Sequence, residues 1–311
     1  MGGGGDAKII LVHRKTRLQE LAARYNTVLQ ARFYVEHLGA DFGDYIDEDS
    51  RYREALSQAR LALEPLGRVH AVDREFVPNF LFGPRDIVVA VGQDGLVANT
   101  MKYLDAQPLI GVNPDPTRWD GVLLPFQVQE LRSVVSDALK GRRPMRQVTM
   151  ARVTLNDGQA LHAVNDLFIG QRTHVFARYE LRVGQRAERQ SSSGVIVSTG
   201  LGATGWLASV LAGAAGVVGA LCPKEVRLPE ARAPWDADHL YFSVREPYPS
   251  RTTGTQLVFG RVTREQPLTV LSHMAEGGLI FSDGVEQDFL VFSAGMRATV
   301  TVADKVGRLV V

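Results

Sequence analysis

One cysteine, Cys222, is all the thiol this 311-residue chain carries, so no intrachain disulfide can form. That fits a reducing compartment. A charge surplus is also missing: 35 Lys and Arg stand against 34 Asp and Glu. Without a basic excess or a Lys/Arg run, nothing in the sequence points to nucleic acid or to a membrane surface as partner. The seven histidines are scattered and form neither an H-E-x-x-H nor a Cys-His spacing, so no metal-ligand set is expected. G-x-S-x-G and the Walker-A pattern are absent as well. The N-terminus, MGGGGD, lacks the basic and apolar regions of a secretory signal. It has Asp6 where a myristoylation site needs Ser or Thr, and reads as a glycine-rich tail.

Charge disappears over one long stretch, residues 190–223, of which 206–222 are almost wholly apolar. By length this could span a bilayer. It is built mostly from Ala, Gly and Val, which insert poorly, and no basic cluster follows. The expectation is a buried helix whose small residues pack tightly against a sheet or a partner.

Short β-branched runs at 8–13, 68–72, 86–91 and 108–112 alternate with helical patterns at 18–37, 47–66, 96–104 and 127–139. Such alternation predicts an open α/β domain with a parallel sheet. After Arg142-Arg143-Pro144 the texture changes. Strand candidates follow at 148–155, 161–169, 179–183, 195–198, 240–244, 268–271, 279–281 and 298–302. Turn signals such as Asn156-Asp157-Gly158 and Asp283-Gly284 separate them. One helix, after Ala203, interrupts. The expected division is an α/β N-terminal domain over 1–145 and a β-rich C-terminal domain over 146–311, the last ~20 residues being free to pack back on the first.

Three segments could carry chemistry. Gly92-Gln93-Asp94-Gly95 directly follows the strand run DIVVAV. Carboxyl ends of parallel strands are where open α/β sheets bind ligands, and glycines there expose backbone N–H groups to phosphate. The plainer alternative is an Asp-Gly turn. Asn165-Asp166 is a polar pair inside the β-like run HAVNDLFIG. It is either a bulge or turn, or two side chains aimed at a ligand. Third, Gly200-Leu-Gly202-Ala-Thr-Gly205 spells G-x-G-x-x-G between an apolar run and a helical one. A dehydrogenase fingerprint belongs in the first β-α unit, with an acidic residue about twenty positions on that ends a second strand. Glu225 has the spacing but follows Cys222-Pro223 and no strand run. A structural corner or another phosphate loop fits the context better.

Taken together and in this order, the three segments resemble the NAD kinase family. That family has G-G-D-G-T after a strand of its α/β domain, then an N-E pair, then an S-T-P-T-G-S-T-A-Y-like loop. Here they stand as GQDGL at 92–96, ND at 165–166 and STGLGATGW at 198–206. PLIGVNPDP (108–116), NDLFIG (165–170), SSG (192–194), FSVREP (242–247) and SDG (282–284) extend the likeness. They are most similar to the branch that includes the animal mitochondrial NAD kinases and its bacterial relatives.

The resemblance implies transfer of the ATP γ-phosphoryl to the 2′-hydroxyl of the NAD adenosine ribose, with Mg²⁺ or Mn²⁺, giving NADP. It also implies a homodimer or higher homo-oligomer, and a cytoplasmic location since no transit peptide is visible. The first domain would bind phosphate and the second NAD. Asp94 would be the base or orienting group for the hydroxyl, with Gly92, Gln93 and Gly95 around the ATP phosphates. Asn165, Asp166, Ser193, Thr199, Gly202, Thr204, Gly205 and Trp206 would bind NAD. Several positions depart from the family pattern. Gln93 and Leu96 replace Gly and Thr, Asp166 is shorter than the usual Glu, and Leu201 replaces a Thr. Ser193 stands where bacterial relatives have Asp, but the mitochondrial branch shares that serine. These changes leave room for a nucleotide-binding or regulatory protein without kinase activity, or for a kinase of another hydroxyl acceptor such as a lipid. The retained Asn165-Asp166 and Trp206 favour NAD.

Overall fold

The computed structural model describes residues 8–222, 233–285 and 287–311. The glycine-rich N-terminal tail and Glu225 lie outside the described residues. The chain divides into two compact units, Met1–Arg146 with Arg308–Val311, and Gln147–Gly307.

The first unit is built on β1 (Lys8–His13), in which Ile9, Ile10, Leu11 and Val12 are all buried. Apolar residues on both faces of a strand suit a parallel sheet covered on both sides. The helices α1 (Arg17–Tyr25), α2 (Val28–His37) and α3 (Gly43–Leu63) follow, then β2 (Arg68–Asp73) and β3 (Ile87–Val91). After them come α4 (Asp94–Met101), β4 (Leu109–Asn113), β5 (Phe126–Gln127) and α5 (Leu131–Leu139). The strands pair in parallel in the order β5-β4-β3-β1-β2. Leu309, returning from the C-terminal end, pairs with Leu109 of β4. Tyr52, Ala55, Ala59 and Leu63 of α3 and Val134 and Val135 of α5 complete the core on one face. Each fully buried Val or Leu there contributes about 1.5–3 kcal/mol.

The pattern at 18–37 is two helices, not one. Thr16 and Gln19 form a capping box at the start of α1. Asn26 ends that helix with φ 66°, and Thr27 caps the next. Two polar residues with good cap chemistry outweigh a continuous apolar period.

The second unit contains β6 (Met145–Leu155), β7 (Ala160–Ala163), β8 (Asp166–Gln171), β9 (Ala177–Val183), β10 (Arg186–Ser192) and β11 (Val195–Ser198). The helix α6 (Trp206–Leu221) comes next. Then follow β12 (Leu240–Val244), β13 (Phe259–Val262), β14 (Leu268–Ser272), β15 (Gly278–Ser282), β16 (Phe289–Val291) and β17 (Arg297–Val310), the last running on into the first unit. One antiparallel sheet has the order β13-β12-β11-β8-β15-β16. Strands β10, β9, β14 and β17 form a second antiparallel run. Their inward residues, among them Ile169, Tyr179, Val197, Phe242, Val270 and Val300, make one core. This is the α/β plus β-rich architecture expected from the sequence. The strand expected over 161–169 is broken, however, at Val164-Asn165, where the chain bends between β7 and β8.

The expectation of a buried helix after Ala203 is corrected by the structure. Only Leu207 of α6 is fully buried, and 6% of the stretch Gly202–Leu221 is covered. Val217 and Leu221 are 61% and 79% exposed. Apolarity all round a helix signals burial only where a neighbouring element covers it, and here Gly213, Gly216 and Gly219 each face open space. With the turn that precedes it, the stretch Gly202–Leu221 is long and apolar enough to cross a membrane by length and composition.

Gly111 in the middle of β4 is dictated by packing, because a Cβ there would overlap the backbone carbonyl of Leu123. Gly111→Ala is expected to cost about 2–3 kcal/mol as backbone is forced apart. Urea denaturation of the variant and the wild type reads that difference.

Candidate functional site

Two groups of residues carry the polar chemistry, one in each unit. In the first, β3 delivers the chain to Gly92, Gln93 and Asp94 at its carboxyl end, and α4 begins at Asp94. Gln93 is the N-cap by backbone alone: its carbonyl accepts the Leu96 N–H at 2.8 Å, and its side chain makes no cap bond. Gly95 opens onto free space, whereas a Cβ at Gly92 would come within 2.7 Å of the Leu96 side chain. Leu96, standing where the resemblance has Thr, therefore packs on Gly92 and is buried.

The Asp94 carboxylate is held rather than free. Its Oδ1 accepts the Leu123 N–H at 2.7 Å and its Oδ2 the Val122 N–H at 3.3 Å. A carboxylate has about four acceptor positions, so two remain. The β3 end is anchored from the other side by Tyr52. Its hydroxyl accepts the Arg14 N–H at 2.9 Å and donates to the Val91 carbonyl at 2.8 Å. Burial pushes the Tyr52 phenol up to about 12, so it remains a donor.

The second group centres on the bend at Val164-Asn165-Asp166. Three consecutive backbone N–H groups, from Val164, Asn165 and Asp166, donate to the Asp283 carboxylate at 2.7–3.2 Å. The Asp283 N–H returns a bond to the Asp166 carbonyl at 3.0 Å. On the other side lies Thr199. Its hydroxyl donates to the Val164 carbonyl at 2.6 Å, and its N–H donates to the Asn165 carbonyl at 2.9 Å. The Thr199 side chain is fully buried and accepts the Gly202 N–H. Thr199 thus fastens the 199–205 loop to the bend.

Asp166 is half-buried, and its Oδ1 is buried without a hydrogen-bond partner. Burial pushes its carboxyl up to about 7, with the Asp283 charge adding to the shift and the Ser198 hydroxyl opposing it. Such an atom is a vacant acceptor or, when protonated, a donor.

The G-x-G-x-x-G letters have packing causes. A Cβ at Gly200 would overlap the Pro234 carbonyl, and one at Gly202 the Asn165 carbonyl. Gly205 has no such neighbour, and together with Thr204 it forms an exposed corner before α6. The Thr204 hydroxyl donates to the Leu201 carbonyl. Trp206, the first residue of α6, stacks on Phe168 at 5.7 Å between ring centres, and the Arg245 guanidinium lies 5.5 Å over the indole. The Phe168 ring fits because Gly170 and Gly194 leave it room. Ser193 is half-buried beside this stack, its N–H bonded to the Arg245 carbonyl.

The fold is similar to solved structures of an NAD kinase and an NADH kinase. An NAD kinase from Archaeoglobus fulgidus in complex with ATP superposes with TM-score 0.59 at 16% identity, over 97% of this chain and 92% of that one. Yeast NADH kinase complexed with NADH gives TM-score 0.59 at 12% identity, over 99% and 84%. The fold is that of the NAD kinases. No family model and no curated protein matches the sequence.

Each group of sequence-predicted residues is assembled within its own unit: Gly92, Gln93, Asp94 and Gly95 in one, Asn165, Asp166, Thr199 and Gly202 in the other. The corner Thr204-Gly205-Trp206 continues the 199–205 loop. Tyr52 carries no signal in the sequence. Asp283 does, through its Asp-Gly turn pair and the SDG likeness at 282–284, but neither signal shows which groups its carboxylate binds.

The raised carboxyl at Asp166 has a consequence for stability. An unfolded aspartate releases its proton near ~3.9, whereas folded Asp166 holds it up to about 7. The folded state binds more protons in that window, so this group's contribution is present below about pH 4 and is lost as pH rises through 7. Asp166→Asn is expected to gain about 1–3 kcal/mol on wild type between those limits. Urea titrations at stepped pH read the gain, and a constant difference would show Asp166 ionised throughout.

Proposed function

We propose that the protein is an ATP-dependent NAD kinase that phosphorylates the 2′-hydroxyl of the NAD adenosine ribose to give NADP. The observation that carries this is the Asp94 carboxylate, pinned by the Val122 and Leu123 N–H groups at the carboxyl end of β3 with acceptor capacity to spare. The shared fold and the order of the GQDGL, ND and STGLGATGW segments support it.

Phosphoryl transfer depends mostly on position and on charge neutralisation. The ribose oxygen attacks the γ-phosphorus, the bond to the β,γ-bridging oxygen breaks, and ADP leaves. The hydroxyl proton passes to Asp94, whose orientation is set before substrate arrives. Gly92, Gln93 and Gly95 border the donor phosphates, with Gly95 open to solvent. Among the described residues no three His, Cys, Asp or Glu side chains converge as an ion site. Mg²⁺ or Mn²⁺ would be held by the nucleotide's phosphates and would supply charge neutralisation there. Asn165, Asp166, Ser193, Thr199, Gly202, Thr204, Gly205 and Trp206 form the NAD side, with Asp166 half-buried at the start of β8. The closer relation is to the mitochondrial-like branch, on the strength of SSG, Trp206 and FSVREP. A cytoplasmic homo-oligomer completes the proposal.

Asp94→Asn keeps an acceptor for the closer Leu123 N–H, gives up the longer Val122 bond, and removes the base. It is expected to lower kcat by about 10²–10⁴-fold while NAD affinity changes less than about threefold. NADP formation from ATP, Mg²⁺ and NAD, set beside calorimetric NAD titration, measures both. Saturable NAD binding with no NADP from the wild type would favour a regulatory protein of this fold.

A further inference from the structure

We infer that Asp283 is a positioning residue for the acceptor nucleotide, shaping through its carboxylate the bend that presents Asn165 and Asp166. The inference rests on the acceptor side of the proposed NAD kinase reaction.

Turn chemistry alone accounts for Asp-Gly at this place. Asp283 and Gly284 have φ of 53° and 70°, and the Val285 N–H closes the turn on the Ser282 carbonyl. Two positive φ values in the centre of a tight turn are met by Asn-Gly, Asp-Gly or Gly-Gly. A turn therefore has no need of a carboxylate. What Asp283 adds is an acceptor for three successive N–H groups that lie 117–119 residues earlier in the chain. Those N–H groups belong to a bend where the strand ladder is interrupted, so their partners must come from elsewhere.

The consequences reach both parts of the acceptor side. The bend held by Asp283 offers its Val164 and Asn165 carbonyls to Thr199. Gly202 is then seated against Asn165, which no side chain would permit. Asp166 is left with its Oδ1 buried and without a hydrogen-bond partner. One carboxylate thus orders two segments that must meet one ligand.

The turn chemistry supplies a clean test. Asp283→Gly keeps the backbone of the turn and deletes the acceptor. Asp283→Asn keeps the turn and one acceptor oxygen. The full chain is titrated with NAD and separately with MgATP, and amide hydrogen exchange is followed at residues 164–166. Asp283→Gly is expected to weaken NAD binding by tenfold or more, leave MgATP binding within twofold, and accelerate exchange at the three amides. Asp283→Asn is expected to restore most of the NAD affinity. Wild-type NAD affinity in Asp283→Gly would overturn the inference. So would equal loss of both nucleotides, or no recovery in a folded Asp283→Asn, since either describes a merely structural residue. A wild type that binds MgATP and not NAD would instead remove the acceptor reading itself, a result no variant is needed to see.

Discussion

Three backbone N–H groups converging on one carboxylate set the form of the second unit's polar site. The bend at Val164-Asn165-Asp166 interrupts the sheet, and an interrupted sheet leaves donors that are costly to bury unpaired. Asp283 meets all three. With the bend fixed, Thr199 can bond its carbonyls, Gly202 can press against it, and the 199–205 loop acquires its path. The exposed corner at Thr204-Gly205 and the stacked Trp206 are the end of that sequence of dependencies. The first unit repeats the principle on a smaller scale: Asp94 accepts two N–H groups of the segment whose Leu123 carbonyl sits against Gly111.

Much of the architecture was legible because local signals agree with the global fold. IVVAV at 87–91 is β-branched, uncharged and bounded by Gly92, and it is a fully buried parallel strand. The turn pair at Asp157-Gly158 and the texture change after Pro144 likewise found their places. Strand β10, RAERQSS, was not legible, because an edge strand with polar residues shows no apolar alternation. The split of residues 18–37 depended on Asn26 and Thr27, whose capping chemistry competes with an otherwise continuous helical period.

The candidate site divides along the same line. Gly92 to Gly95 could be found because a strand, a glycine pair and an acidic residue are contiguous in sequence. The meaning of Asp283 could not, since its partners are more than a hundred residues away and a tight turn already explains an Asp-Gly pair. The glycines at 200 and 202 show the converse. They form a familiar phosphate-loop spelling, yet two backbone carbonyls, of Pro234 and Asn165, are what exclude a side chain at each. The helix that follows shows how far composition can mislead, since its uncharged, small residues are compatible with burial and with exposure alike.

The Tyr52 hydroxyl, bridging Arg14 and Val91, keeps its proton far above neutrality. The support behind Gly92 and Asp94 is therefore a bond that acidity does not reach. Asp166, by contrast, changes charge close to neutrality. Within one chain, the scaffold beneath the turn between β3 and α4 is deaf to the surrounding proton concentration, while the edge of the other polar site listens to it.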